Sequence, residues 1–111
     1  MQIMRRGEVW WVDFDPVRGG EIRKTRPAII VSNDFSNAHL NRLQVVPVTS
    51  NAGRLYPSEA VVTVGGQSIK AMADQLTTVA KERLSSQLGA LTRDDLKAVE
   101  RSLKIQLGLP L

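Results

Sequence analysis

The chain predicts a mainly β fold with α additions: a small antiparallel barrel with a helix packed on it at the C-terminal end. Short segments rich in β-branched and aromatic residues, separated by turn signals, fill the first two thirds of the sequence. One well-delimited amphipathic helix pattern follows at the end. Strands and helices do not alternate in the way a parallel sheet would require.

Glu8 to Phe14 reads as the first strand, closed by Asp15-Pro16. Alternation sets Val9, Trp11 and Asp13 on one face and Trp10, Val12 and Phe14 on the other, the second set being the expected core face. Trp11 then lies toward solvent or an interface, although tryptophan in a small barrel more often simply packs. Pro27 enforces an extended entry to a second, buried strand, Ala28 to Ser32, ended by Asn33-Asp34. Phe35 to Leu40 is too short for an independent helix and is expected as a helical turn or ordered loop. Leu43 to Ser50 is the third strand, in which Pro47 predicts an edge or a bulge.

Asn51 to Pro57 is a loop, and Ser58 to Val64 a fourth strand. Gly65-Gly66 makes a tight connection to an extended segment over Ile69 to Asp74, and Gln75 to Val79 continues as a further strand. Over Lys81 to Leu91 the leucine spacing fits a helix, while Gly89 and the short length favour a turn followed by a strand; the second is the expectation. The last helix is the clearest element. Thr92 is its N-cap, Asp95 stands in the capping-box position, and Leu91 with Leu96 forms a hydrophobic staple. Leu96, Val99, Leu103 and Leu107 make its apolar stripe, with Gly108 as the stop and Pro110 beyond.

A chain of 111 residues fits one domain and is long enough to bury a core of its own. With no cysteine, disulfides, thiolate chemistry and cysteine-bound metals are excluded, and the single histidine, His39, excludes the usual histidine triads. Carboxylate-only metal binding stays open on these grounds. No secretory pattern and no bilayer-length apolar run is present, so a soluble, cytoplasmic protein is expected. A formal charge of +4 and a sequence pI near 10 point to a polyanion partner or to a merely soluble basic surface.

The charge is concentrated. Between residues 16 and 26 there are four cations, Arg18, Arg23, Lys24 and Arg26, against the single anion Glu21. Gly19-Gly20 lies within this loop, but the spacings of the known phosphate loops are absent, so plain loop flexibility is the better reading of the pair. Arg26 differs from the other cations because it stands at the boundary with the Pro27 strand, where backbone order can fix a guanidinium against the paired oxygens of a phosphodiester. Thr49 and Ser50 end the third strand and offer hydroxyls to phosphate oxygens if that end lies near Arg26. On pattern alone, Thr49 reads as a turn cap more often than as a catalytic group.

With these residues in hand, the chain resembles the MazF/PemK (Kid) family of toxin endoribonucleases from bacterial type II toxin–antitoxin modules, over nearly its whole length. The resemblance is carried by Arg6-Gly7-Glu8-Val9-Trp10-Trp11-Val12-Asp13-Phe14-Asp15-Pro16, Gly19-Gly20-Glu21 and Arg26-Pro27-Ala28-Ile29-Ile30-Val31-Ser32. Val45-Val46-Pro47-Val48-Thr49-Ser50 and Ala73-Asp74-Gln75-Leu76 complete it. It implies an SH3-like barrel, a homodimer, and metal-independent, sequence-specific cleavage of single-stranded RNA, so no cofactor. Arg26 and Thr49 match the family's catalytic arginine and threonine, and Glu21 the loop glutamate implicated in some members. The chain departs from the family pattern at Gln67-Ser68-Ile69-Lys70, where many members have Asp-Ser or Asp-Gly, and at Gln75-Leu76-Thr77, where a cation is usual; Lys70 is a candidate substitute.

The implied chemistry is attack of a ribose 2′-hydroxyl on the adjacent phosphorus, leaving a 2′,3′-cyclic phosphate and a 5′-hydroxyl. Arg26 would neutralise the phosphorane, Thr49 would donate to a non-bridging oxygen, and Glu21 is the candidate general base. RNA contacts are expected from Arg18, Arg23, Lys24, Thr25, Ser50, Asn51, Lys70 and Gln75. Trp11, Phe35 or Tyr56 are candidate stacking platforms, and Asn33, Asn37, Asn41 and Gln44 candidate readers of base edges. An acidic, partly disordered antitoxin peptide is the expected protein partner. The alternative on the same barrel is a non-catalytic, gyrase-poisoning toxin of the CcdB type, which has no need of the Arg26 and Thr49 pair. A non-catalytic RNA-binding module is the third reading.

Overall fold

The computed structural model describes residues 3–14, 25–50 and 53–111. Seven strands form one curled antiparallel sheet: β1 (Glu8–Asp13), β2 (Thr25–Ile30), β3 (Arg42–Thr49), β4 (Glu59–Val64), β5 (Gln67–Met72), β6 (Thr77–Ala80) and β7 (Leu84–Ala90). Short 3-10 turns at Ala73–Gln75 and Lys81–Arg83 flank β6, and two helices, α1 (Asp34–His39) and α2 (Arg93–Leu107), complete the chain. The strand order is β4-β5-β3-β2-β1-β7, with β6 paired to β3. This is the half-barrel with a C-terminal helix that the sequence predicts, including the turn and strand over Lys81 to Leu91.

The sheet is arranged around β3. One edge pairs β2 through Ala28↔Pro47, Ile29↔Val46 and Ile30↔Val45. The other edge pairs β6 over Arg42 to Val45 and β5 at Val48 and Thr49. Pro47 therefore lies in a central strand, not at an edge as expected. It sits where β3 changes partner from β6 to β5, so its missing N–H falls in a break between the two ladders.

Both faces of the strands are buried. On one face Val9, Ile29, Val46, Val48, Val62 and Val99 form a core against α2. On the other, Trp10, Val12, Ala28, Ile30, Leu43 and Val45 form a second. The single core face expected for β1 is thus corrected, since Val9 is as buried as Val12. Burial on two sides explains why β2 and β3 read as continuous apolar runs, each large side chain contributing roughly 1.5–3 kcal/mol.

Two glycine features close the barrel. Gly65 and Gly66, at φ +57° and +80°, make the two-residue turn between Val64 and Gln67, a conformation that residues with a Cβ disfavour. Gly89 brings β7 against β4, where a Cβ would stand 2.9 Å from Val64 Cγ1.

The N-terminal segment is riveted to this frame by Arg6. Its backbone N–H donates to Asp34 Oδ1 at 2.7 Å, its Nε to the Val31 carbonyl at 3.0 Å, and its Nη2 lies 2.7 Å from Glu100 Oε2. Helix α1 is a true if short helix, capped by Asn33 Oδ1, which accepts from the Ser36 N–H at 2.9 Å. In α2, Thr92 Oγ1 accepts from the Asp95 N–H at 3.2 Å, as a cap should. Asp95 does not complete a capping box; its Oδ2 accepts from the Thr63 N–H at 2.9 Å and pins the helix start to β4. Leu107 is a second correction, since it is exposed and the buried stripe ends at Ser102 and Leu103. Among the described residues, no helix is long and apolar enough to cross a membrane.

Candidate active site

Arg26 is the second residue of β2, exposed and opposite Val12 of β1. Pro27 beside it stands opposite Trp11, and its fixed φ holds the strand entry extended. From Ala28↔Pro47, the same register carried two residues outward sets Arg26 level with Thr49. Thr49 is in turn paired with Lys70 of β5, and Lys70 with Val61 of β4. A row of cross-strand neighbours therefore runs Arg26, Thr49, Lys70, Val61, and neighbours in such a row share a sheet face.

Two cavities meet at the end of β3. The larger, about 490 Å³, is lined by Arg26, Thr49 and Ser50 together with Trp11, Gln67 and Leu88. The smaller, about 200 Å³, shares Thr49, Ser50 and Ile69 with it and extends to Leu55, Val61 and Lys70. The hydroxyl-bearing end of β3 is thus common to both. The condition left open by the sequence, proximity of Thr49 to Arg26, is met.

Of the other candidate RNA contacts, Thr25 lies exposed at the start of β2, opposite Asp13. Lys70 is not a free cation: Nζ donates to the Arg54 carbonyl at 3.0 Å and lies 3.5 Å from Glu59 Oε1, with both side chains 11% exposed. Gln75 lies on the 3-10 turn, where its Nε2 contacts Met72 Sδ at 3.5 Å, and it is not among the residues lining either cavity. Arg18, Glu21, Arg23, Lys24 and Asn51 lie outside the described residues.

The candidate base readers divide. Asn37 is 2% exposed and its amide donates to the Ser32 carbonyl at 2.9 Å, so it is a structural amide and not a reader of bases. Asn33 serves as the α1 cap, and Gln44 Nε2 donates to Thr78 Oγ1 at 3.1 Å. Phe35 is exposed but stacks on His39, with ring centroids 4.4 Å apart. Trp11 alone of the three candidate platforms lines the larger cavity. Leu88, Leu55 and Val61 were missed by the sequence reading, because only the curl of the sheet brings their exposed positions to a common rim.

Comparison with known proteins agrees with this geometry. The family described as PemK-like, MazF-like toxin of type II toxin-antitoxin system matches residues 5–107. Endoribonuclease MazF9 of Mycobacterium tuberculosis is 43% identical over 116 aligned positions, which cover 96% of this chain and 98% of that protein. A mycobacterial endoribonuclease in complex with its cognate antitoxin superposes with a TM-score of 0.82 at 27% identity, covering 97% of this chain and 98% of that one. The MazE-MazF crystal structure (Form-II) from Deinococcus radiodurans gives 0.84 at 27% identity, covering 99% and 100%. These matches favour the RNA-cleaving reading over the gyrase-poisoning alternative. With the fold, the Arg26 and Thr49 pairing and these relatives in agreement, the chain belongs to the PemK-like, MazF-like toxin family of type II toxin–antitoxin systems.

Proposed function

We propose that this protein is a sequence-specific endoribonuclease toxin that cuts single-stranded RNA without a metal ion, with Arg26 and Thr49 as its catalytic pair. The observation that carries the reading is that these two residues, 23 apart in sequence, line one cavity at the end of β3. A phosphodiester seated there meets a planar fork of charged donors and a neighbouring hydroxyl.

In the reaction the substrate's 2′-oxygen forms a bond to phosphorus and the bond from phosphorus to the 5′-oxygen breaks. The proton of the 2′-hydroxyl passes to a base, for which Glu21 is the candidate, and the departing 5′-oxygen takes up a proton. Arg26 neutralises charge on the phosphorane oxygens, and Thr49 fixes one of them by hydrogen bonding. A guanidinium keeps its charge throughout the neutral range, which suits Arg26 to electrostatic stabilisation more than to proton transfer.

Arg18, Arg23 and Lys24 act as a cationic flap over the RNA backbone, Thr25, Ser50, Asn51 and Gln75 supply polar contacts, and Trp11 stacks an unpaired base. The neutralising partner is an acidic antitoxin peptide that occupies the same basic groove, by analogy with the complexes solved for relatives. The exposed Ile105, Leu107 and Leu109 along the end of α2 support a homodimer, which would cover apolar surface. Cutting of mRNA in the cytoplasm would stop translation and growth.

The test is incubation of the pure protein with defined single-stranded RNA in excess chelator, beside an Arg26→Ala variant. Cleavage by the parent and its near-loss in the variant are expected. No cleavage, or equal cleavage by both, refutes the reading.

A further inference from the structure

The smaller cavity is a built compartment beside the proposed catalytic pair. Its walls are apolar at Leu55, Val61 and Ile69, and its polar members are Thr49, Ser50 and Lys70. One wall is held by a clamp. Lys70 Nζ donates to the Arg54 carbonyl at 3.0 Å and approaches Glu59 Oε1 at 3.5 Å. The same Glu59 oxygen accepts from the Tyr56 N–H at 2.9 Å. The ion pair thus fixes the segment that carries Leu55 against the β4–β5 hairpin.

Three properties define what fits. At about 200 Å³ there is room for one heterocyclic ring system and not for a stacked pair. The apolar walls suit the faces of an unstacked base. The polar complement is rich in donors: the Ser50 hydroxyl, the Ser68 hydroxyl that also lines the space, and the third ammonium N–H of Lys70, which has two partners for three hydrogens. No carboxylate lines the cavity. Donors without a dedicated acceptor select an edge that presents acceptors, which a keto base offers and the amino edge of adenine or cytosine does not.

We propose that this cavity receives a single unstacked keto base, uracil or guanine, from the nucleotide adjoining the scissile phosphate, with Lys70 and Glu59 as the residues that position its wall. The inference rests on the RNA-cleaving reading for its substrate but assigns a base subsite of its own. Lys70 then acts in base selection through the clamp, not as a general phosphate cation.

Binding by the full chain is measured with short RNA oligonucleotides whose scissile nucleotide is 2′-deoxy, so that selection is read separately from cutting. Each position beside the scissile phosphate is varied through the four bases, with inosine and 2-aminopurine as further arms. Uracil or guanine at one position is expected to bind about tenfold tighter than cytosine or adenine, the penalty for leaving buried donors unpaired. If guanine is the occupant, inosine retains this advantage and 2-aminopurine loses it; if uracil, cytosine alone removes it. Val61→Phe, which fills the cavity from a half-exposed strand position, and Lys70→Met should each flatten the preference. Equal binding of all bases, a preference for adenine, or a preference unchanged in Val61→Phe overturns the proposal even where RNA is cut. Keto-selective binding abolished by Val61→Phe supports it even if no RNA is cut, an outcome that would instead count against the catalytic reading.

Discussion

Pro47 stands opposite Ala28 in the ladder between β2 and β3, and two steps outward that register brings Thr49 level with Arg26. Because both flanking cores clamp these strands, the pair is set by the barrel and not by the loop that precedes it. Its catalytic geometry is therefore built on rigid elements, as a site that must stabilise a transition state requires.

Removing either member should stop chemistry without unfolding the protein. Arg26→Ala and Thr49→Val are each expected to lower kcat by about 10²- to 10³-fold, the usual loss for one transition-state donor, with a smaller change in KM. Single-turnover cleavage beside a thermal melt checks this. A proportional loss of folded protein would show that the residues matter structurally.

Barrel closure should be sensitive at Gly89. A Cβ there meets Val64 Cγ1 at 2.9 Å, and Val64 is itself nearly buried in the core, so Gly89→Ala is expected to cost roughly 1–3 kcal/mol by overpacking. Denaturant melts of Gly89→Ala with and without Val64→Ala test the contact. The double variant should be more stable than the two single effects predict when added.

The cationic loop should act on binding and not on turnover. Replacing Arg18, Arg23 or Lys24 by glutamine is expected to reduce the slope of log binding constant against log salt by about 0.7 for each phosphate contact removed on a single strand. Titrations of a non-cleavable RNA at several salt concentrations measure this, and kcat should hold at saturating substrate.

The sequence carried most of the fold because its signals were local. The Gly65-Gly66 turn, the Thr92 cap and Gly108 at φ +69° each act within a few residues. What it did not carry was long-range: Pro47 was misplaced to an edge because partner exchange along β3 leaves no local mark. Asp95 satisfied a local capping rule on paper, yet its carboxylate accepts from β4 instead. The Arg26 and Thr49 pair was legible as a family match, but its proximity needed the register. Lys70 looked like a surface cation until Glu59, eleven residues away, appeared as its partner.

The central claim is that Arg26 and Thr49 promote attack by the substrate's own 2′-hydroxyl. Analysis of the ends of RNA cut by the pure protein in chelator tests it most directly. The account predicts 2′,3′-cyclic phosphate and 5′-hydroxyl ends, with no cutting where the scissile nucleotide is 2′-deoxy. Ends bearing a 5′-phosphate, or cutting of the deoxy substrate, would contradict it.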